Sequence, residues 1–322
     1  MTLAKASSAT FDYEGHRIAY DEYGSGDRVI VLVHGLLMNS RMYERLGPAI
    51  AQRGNHVICL NVLGHGPSDG PDELGYYSMS AFADQTEALL DHLGVDQAVI
   101  GGTSLGANVS LEFATRHPER ARGLFMEMPV LENALLSVAV IFTPIMVVLE
   151  LGAPLLRLAA GTLRRVPRTN YLIDIALDWA RRDPGRSADV LQGLLLGRSA
   201  PLPDERKALH QPALVIGHPN DPLHPFSDAD MVVHEMPNAR LVDANSILEW
   251  RIAPVRLDEE LADFLDEVWE QPKASGGRRK AASGNAAKGN SAKGKGAKGK
   301  TAKRGTTKAK TARRKSASRA SG

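Results

Sequence analysis

The sequence predicts an α/β fold in which a mostly parallel central sheet is flanked by helices. Short, continuous apolar runs such as VIVLV at Val29–Val33 and ALVIG at Ala213–Gly217 indicate strands that are buried on both faces. Stretches with helical spacing, such as Met79–Leu93, lie between such runs. Strands that alternate with helices are typical of a parallel sheet covered on both faces.

The predicted elements follow in a regular order. HRIAY at residues 16–20 indicates a strand of an N-terminal hairpin, and further strands are predicted at residues 29–33, 56–62, 97–101, 124–128, 213–217 and 240–243. Helices are predicted at Met79–Leu93, at Leu105–His117, which ends before Pro118, and at Phe226–His234. The hydrophobic residues of this body are numerous enough for one sizeable core.

The alternation stops between Val130 and about Gln211. This interval has no strand pattern, only apolar helical pattern interrupted by prolines at positions 144, 154, 167 and 184. We expect residues 130–211 to form an inserted helical lid over the strand ends, and residues 1–129 and 212–270 to form the core. The apolar residues of the lid would line a hydrophobic cavity or fill the lid's own core.

Residues 271–322 form a compositionally separate C-terminal tail. Residues 273–319 carry 17 basic residues and no acidic one, which leaves 22 of the 39 basic residues and all 37 acidic residues in the first 270. The body therefore has a formal charge of −15 and the tail one of +17. Because the tail lacks aromatic and branched aliphatic residues, we predict that it is disordered. It could bind nucleic acid or another polyanion without reading sequence, lie against the acidic body, or only solubilise the protein.

The single cysteine and the apolar stretches bear on the cellular compartment. Cys59 lies in a predicted strand and is expected to be a small core residue, and one cysteine excludes an internal disulfide. The N-terminus has no apolar segment of the signal-peptide type. The most apolar stretch, residues 134–149, contains Pro144 and is shorter than the roughly 20 residues of a spanning helix. We therefore expect a cytoplasmic protein without a membrane span.

A serine flanked by glycines is the first candidate catalytic residue. GTSLG at Gly102–Gly106 places Ser104 at the junction of a predicted strand and helix. A sharp turn there strains the serine backbone and leaves room only for small residues two positions away on either side. The helix N-terminus offers the N–H of Leu105 to a developing oxyanion. Ser104 is thus a candidate nucleophile, although a structural serine in a glycine-rich turn has the same pattern.

Three motifs in this order resemble the α/β-hydrolase fold family, in its lidded esterase, lipase and epoxide-hydrolase branch. They are His34–Gly35 after the strand VIVLV, NVLGHGPSD at Asn61–Asp69 after the strand HVICL, and GTSLG. The resemblance extends over roughly residues 11–269. It implies that the N–H of Leu36 is the second oxyanion donor and that His34 orients this loop instead of acting as the base.

The resemblance also bears on the second motif and on the catalytic acid. The glycine-rich loop usually begins with Asp, whereas this chain has Asn61, and His65 within it is expected to be structural. Asp221 lies four residues after Gly217 in ALVIGHPNDPLHP, which matches the family's usual G-x-x-D-x-x-x-P pattern. Asp221 is therefore the expected acid, although Asp-Pro is also a common turn dipeptide.

The catalytic base does not occupy the family position. The family histidine follows the last strand, where this chain has Ile247, and no histidine occurs beyond His234. Isoleucine cannot accept the serine proton, and a serine without a base is a poor nucleophile. His224, three residues after Asp221, is the favoured replacement. The alternatives are His218, which follows the preceding strand, and two carboxylates that would need a raised pKa, Glu127 and Glu249; His234 is expected to be a solvated surface residue.

Three functions remain open at this point. The resemblance favours a serine hydrolase that acts on an ester or similar apolar small molecule through an acyl-enzyme. A pseudo-hydrolase that has lost the base would keep the pocket and bind a small apolar ligand. A protein that associates with nucleic acid through its tail is the third. No metal or nucleotide cofactor is predicted, because the sequence has neither a His/Cys ligand cluster nor a dinucleotide fingerprint.

Overall fold

A computed structural model of the protein describes residues 5–167 and 171–271, and it confirms the predicted fold class. The tail, whose predicted disorder and binding concern residues 271–322, lies outside the described residues beyond Gln271. One sheet contains eight strands: β1 (Ser7–Tyr13), β2 (His16–Tyr23), β3 (Val29–Val33), β4 (His56–Asn61), β5 (Ala98–Thr103), β6 (Ala121–Glu127), β7 (Ala213–Gly217) and β8 (Ala239–Asp243).

The strand order determines where a ligand can approach the sheet. The order is β1-β2-β4-β3-β5-β6-β7-β8, with β1 and β2 antiparallel to their neighbours and all other pairs parallel. The chain leaves β3 toward β4 on one side and returns to β5 on the other. In open parallel sheets, the carboxyl ends of strands at such a reversal form the ligand-binding crevice.

Helices cover the sheet on both faces. They are α1 (Leu46–Ala51), α2 (Met79–Leu93), α3 (Leu105–Arg116), α4 (Leu135–Leu151), α5 (Ala153–Leu163), α6 (Tyr171–Ala180), α7 (Pro184–Leu196), α8 (Pro203–Lys207), α9 (Phe226–Glu235), α10 (Glu249–Ile252) and α11 (Val255–Glu270). Local signals explain several ends. The Ser78 side chain accepts the N–H of Ala81 at the start of α2, and Gly94 ends that helix at φ 67°.

The core lies on both faces of the sheet, because alternate residues of the central strands point to opposite sides. Val29, Val31 and Val33 of β3 pack in one hydrophobic cluster, and Ile30 and Leu32 pack in the other. Every residue of β3 is buried. The continuous apolar run predicted this two-sided burial. Cys59 of β4 is also fully buried, as expected for a small core residue.

The interval between β6 and β7 is helical, and α4–α8 are named here the inserted helices. None of the described residues between 130 and 211 lies in a strand. The first two of these helices expose large apolar side chains, including Leu136 at 76% and Leu151 at 79%. Among the described residues, no single helix has the length and apolarity to cross a membrane. Taken together, α4 and α5 meet those criteria, but they join at a bend of 90°.

Candidate active site

Ser104 lies on a tight turn between β5 and α3, at the carboxyl edge of the sheet. Its φ of 55° and ψ of −104° form a strained conformation for a residue with a side chain. Cβ atoms added at Gly102 and Gly106 would lie 2.0 Å and 1.9 Å from the carbonyl oxygen of Val33. Glycine at both positions therefore permits the close approach of β5 and α3 to β3 that supports this turn.

The hydroxyl of Ser104 is hydrogen-bonded to an imidazole. The distance from Ser104 Oγ to His224 Nε2 is 2.9 Å, and that from His224 Nδ1 to Asp221 Oδ2 is also 2.9 Å. An ionised carboxylate only accepts hydrogen bonds, so Nδ1 of His224 carries the proton and donates to Asp221. Nε2 is then left as the acceptor for the Ser104 hydroxyl.

Asp221 is held in its ionised form. Burial acts to raise its pKa, but the hydrogen bond and the charge interaction with His224 oppose this effect. The backbone N–H groups of Leu223 and His224 also donate to Oδ1, at 2.8 Å and 3.0 Å. Together they lower the pKa of Asp221 to about 2. The carboxylate therefore remains charged at neutral pH and fixes the orientation of the His224 ring.

Both Asp221 and His224 lie in one loop, residues 218–225, between β7 and α9. The loop turns at Asn220, whose φ is 61°, a conformation that asparagine tolerates better than most residues. Ile247, at the family's histidine position after β8, is 42% exposed and does not line the cavity at Ser104. The acid and the imidazole thus reach the serine from the same loop.

The alternative base His218 is directed elsewhere. Its Nδ1 donates to the carbonyl oxygen of Ser246 at 3.0 Å, and its Nε2 lies 3.3 Å from Glu127 Oε1. Burial acts to raise the pKa of Glu127, but the charge of Arg251, 3.0 Å away, and the contact with His218 lower it to about 2. Neither side chain is hydrogen-bonded to Ser104, so this buried cluster is separate from the serine hydroxyl.

Neither Glu249 nor His234 is hydrogen-bonded to Ser104. Glu249 receives hydrogen bonds from Arg256 at 2.8 Å and from the Asn245 side chain at 3.0 Å, and these interactions lower its pKa. His234 lies in the last turn of α9 with its side chain 74% exposed, and its Nδ1 donates to the carbonyl oxygen of Asp230.

His34 and His65 form a buried pair of rings. Their ring centroids are 4.6 Å apart, and burial lowers the pKa of His34 to about 4 and that of His65 well below the ordinary value. His34 Nδ1 donates to the carbonyl oxygen of Gly35 at 2.9 Å, and His65 Nδ1 donates to that of Leu63 at 3.1 Å. Both rings are therefore neutral, and His34 braces the loop that begins at Gly35.

Asn61 stands where the resembling family usually has an aspartate, and its amide is fully used. Oδ1 accepts the N–H of Ser40 at 2.8 Å, and Nδ2 donates to the Ser40 hydroxyl at 3.0 Å and to the carbonyl oxygen of Ala19 at 3.3 Å. An aspartate could accept the first bond but could donate neither of the others. Asn61 therefore ties the loop after β3 to β2.

The two residues expected to supply the oxyanion N–H groups lie at the same cavity as the serine. Leu36 and Leu105 both line the cavity that contains Ser104 and His224. Leu105 is the first residue of α3, so its N–H has no acceptor within the helix. Leu37, next to Leu36, has a φ of 59°, so the chain turns sharply where this loop passes the serine.

A small apolar cavity of about 90 Å³ adjoins the Ser104 hydroxyl. Most of its wall comes from α3, from the inserted helices α4 and α7, and from Met79, with the following apolar residues: Leu36, Met79, Leu105, Val130, Val138, Phe142, Leu191, Leu194, Leu195 and Leu223. A group that contacts Ser104 from this cavity therefore enters an apolar environment.

Asn108 is a wall residue that the sequence reasoning missed. From α3, its Nδ2 donates to the carbonyl oxygens of Val130 and Ser199, both at 2.6 Å, and its Oδ1 accepts the N–H of Val130. One core side chain thus holds the beginning and the end of the inserted segment. Asn108 is fully buried, and a buried amide requires hydrogen-bond partners; its position four residues after Ser104, one helical turn along α3, was the available signal.

A larger cavity lies away from the serine. A polar cavity of about 1,050 Å³ adjoins the loop after β4 and shares no lining residue with the apolar one. The chemistry of Ser104, and not cavity size, identifies the candidate active site. Among the described residues, no group of three or more His, Cys, Asp or Glu side chains is arranged to hold a metal ion.

Comparisons with known proteins agree with this architecture. Residues 28–145 match the family model described as alpha/beta hydrolase fold. An uncharacterized protein of Mycobacterium tuberculosis is 38% identical over 105 residues, which cover 33% of this chain and 30% of that protein. Rat (Rattus norvegicus) bifunctional epoxide hydrolase 2 is 33% identical over 110 residues, which cover 34% of this chain and 20% of that protein. The chain thus spans less than a third of these relatives.

Solved structures resemble the chain over a greater length. The enol-lactonase from Burkholderia xenovorans LB400 superposes with a TM-score of 0.66, covering 80% of this chain and 100% of that chain, at 20% sequence identity. Similarity at this identity shows a shared fold.

Proposed function

This chain has the α/β-hydrolase fold and hydrolase-named relatives, and from these premises we propose that it is a serine hydrolase that cleaves a small apolar ester. The observation that carries the proposal is the hydrogen-bonded chain from Ser104 Oγ through His224 to Asp221, with 2.9 Å at each step. A nucleophile, a base and a group that orients the base are the parts that acyl transfer requires.

The proposed reaction has two halves. His224 Nε2 accepts the hydroxyl proton as Ser104 Oγ attacks the ester carbonyl carbon, and the Asp221 carboxylate stabilises the imidazolium. The N–H groups of Leu36 and Leu105 donate to the oxyanion of the tetrahedral intermediate. The alcohol leaves with the proton from His224, and Ser104 retains the acyl group. Water, deprotonated by His224, then releases the acid and restores the serine.

The apolar cavity supports an apolar acyl group as the substrate moiety. Its volume of about 90 Å³ lies well below the roughly 300–1,000 Å³ of ordinary ligand pockets, so it favours a short acyl chain. A longer chain requires displacement of α4, whose Val138 and Phe142 form part of the wall. We therefore expect p-nitrophenyl butyrate to be a better substrate than p-nitrophenyl palmitate.

A fluorophosphonate probe tests the proposal, because it labels only an activated serine. The full-length protein should be labelled and Ser104→Ala should not. Asp221→Asn should be labelled more slowly, since the amide no longer stabilises the imidazolium. Absence of labelling in the full-length protein would contradict the proposal and favour a pseudo-hydrolase that binds a small apolar ligand. A clear preference for charged esters would contradict the proposed substrate class.

A further inference from the structure

The polar cavity of about 1,050 Å³ carries an excess of positive charge. It lies beside residues 64–68 of the loop after β4 and beside residues 39–41. Three aspartates line it, Asp21, Asp178 and Asp183, together with five arginines: Arg41, Arg164, Arg181, Arg182 and Arg186. Which of these aspartates and arginines pair with each other determines what the cavity can bind.

Two of the aspartates are neutralised by arginines that are thereby occupied. Asp178 lies 3.1 Å from Arg181 Nη1 and 3.7 Å from Arg41 Nη1. Asp183 lies 3.0 Å from Nε of Arg157, which does not line the cavity. These two carboxylates form their ion pairs with arginines other than Arg164, Arg182 and Arg186, and Asp183 also accepts the backbone N–H of Arg186 at 3.2 Å.

Arg164, Arg182 and Arg186 have no carboxylate partner among the described residues. The Nε of Arg164 donates to a backbone carbonyl oxygen at 2.8 Å. The third aspartate, Asp21, accepts the hydroxyl of Ser40 at 2.6 Å instead of pairing with an arginine. Arg164 and Arg186 are exposed and Arg182 is partly buried, and none of these three guanidinium groups forms an ion pair with a carboxylate of the described residues.

Arg182 is the least compensated of the three. Its only hydrogen bond among the described residues is a long one, 3.4 Å from Nη1 to the carbonyl oxygen of Met38, and its Nε is buried without a partner. Burial lowers its pKa to about 10, with a further lowering by the charge of Arg186 against an opposing effect of Tyr77. A desolvated charge without a partner costs free energy, so such a group calls for a ligand of opposite charge.

We propose that this cavity binds a small, multiply charged anion bearing a phosphate or diphosphate group, held by Arg164, Arg182 and Arg186. The planar guanidinium group donates two parallel hydrogen bonds to phosphate oxygens, and such charge-assisted bonds are the strongest that side chains make. Because the cavity shares no wall residue with the one at Ser104, the anion occupies a site of its own. The proposal does not depend on the proposed hydrolase activity.

Thermal unfolding of the full-length protein with pyrophosphate tests this site. The basic residues of the tail also attract pyrophosphate, so only the part of the rise in melting temperature that depends on the arginines of the cavity reports the cavity. At about 100 times Kd, Tm should rise by roughly 5 °C. Arg182→Gln combined with Arg186→Gln should abolish the rise. The control Arg53→Gln removes an exposed arginine paired with Asp263 and Asp266, and should keep it.

The melting temperature without anion distinguishes a binding role from a structural one. If Arg182 serves to bind an anion, the Arg182→Gln variant should have the same Tm as the parent protein or a higher one, because the substitution removes an uncompensated charge. A marked fall in Tm would overturn the proposal, and so would a pyrophosphate-induced rise that survives in the double variant. Hexyl phosphate, as a second probe, identifies the source: a larger rise than with pyrophosphate assigns the group to a phosphorylated apolar molecule, and a smaller one to a free anion.

Discussion

Replacing His224 by alanine is the most direct perturbation of the proposed mechanism. His224 provides the only hydrogen bond to Ser104 Oγ among the described residues, at 2.9 Å. The alternative imidazole that the sequence offers in this region, His218, contacts Glu127 and the carbonyl oxygen of Ser246 instead. No second base is therefore positioned to take over the serine proton.

The expected loss follows from this lack of a substitute. General-base catalysis contributes a factor of about 10² to 10⁴ in rate, which corresponds to roughly 2.7–5.4 kcal/mol in the activation free energy. The fold should survive, because Asp221 keeps the backbone N–H bonds from Leu223 and His224 that shape the loop. The unfolding free energy should fall by about 1–3 kcal/mol, the cost of removing one partner of a hydrogen-bonded charge.

Hydrolysis of p-nitrophenyl butyrate measures the effect, with Tm as the check on folding. Two matched variants serve as controls. His234→Ala removes an exposed imidazole and controls for the loss of any histidine. Ile247→Ala changes the residue after β8 at which the resembling family has its catalytic histidine. Both should hydrolyse the ester at the rate of the full-length protein. Full activity of His224→Ala would refute the role of His224 as the base, and so would an equally large loss of activity in Ile247→Ala.

Three other predictions concern the serine turn, a buried carboxyl group and the tail. Gly106→Ala should destabilise the protein by more than about 4 kcal/mol or prevent folding, because the new Cβ would lie 1.9 Å from the carbonyl oxygen of Val33. Gly161→Ala, in a helix with nothing within 4 Å, should instead stabilise it by up to about 1 kcal/mol; urea unfolding compares the two, and equal effects would contradict the steric argument. Burial raises the pKa of Asp258 to about 6 from 3.8, against opposing interactions, so the native state binds the proton more tightly and loses stability as pH rises from about 4 through 6. Asp258→Asn should therefore be more stable than the parent by about 1–2 kcal/mol at pH 8, a value reduced for partial exposure, and should show no such gain at pH 3.5; a gain of equal size at both pH values would refute this linkage. Finally, we expect the full-length protein to bind duplex DNA weakly, with an affinity that falls steeply between about 50 and 200 mM salt. A chain that ends at Gln271 should lose this binding in a gel-shift assay and should hydrolyse esters at an unchanged rate. DNA binding by the shortened chain would contradict the assignment of this binding to the tail.

Much of the fold could be predicted from the sequence because it depends on local patterns. The residues of β3 and β7 are continuous apolar runs, and the structure has these strands with the predicted bounds. The position of Ser104 at a strand–helix junction was also readable, since glycines two residues away on each side are typical of a sharp turn that carries a nucleophile. The strand β5 extends two residues beyond the prediction, to Thr103, because Gly102 pairs within the sheet despite its low strand propensity.

The partners of the serine could not be read with the same certainty. The spacing in the sequence predicts that Asp221 and His224 share one loop, but it does not predict the direction of the imidazole ring. That direction depends on the turn at Asn220 and on the two N–H groups that fix the Asp221 carboxylate. The sequence alone also left His218, the residue directly after β7, as an alternative base. Only the folded arrangement directs that ring to Glu127 and the other to Ser104.

The sequence by itself determined the α/β architecture, the serine turn and the contrast between an acidic body and a basic tail. These properties follow from periodicity, backbone sterics and composition, which act over a few residues. The tertiary structure alone decided which histidine contacts Ser104 and which arginines have no carboxylate partner among the described residues. Both outcomes depend on distances between segments more than a hundred residues apart in the chain, as with Met38 and Arg182, and such distances are set by packing of the whole core.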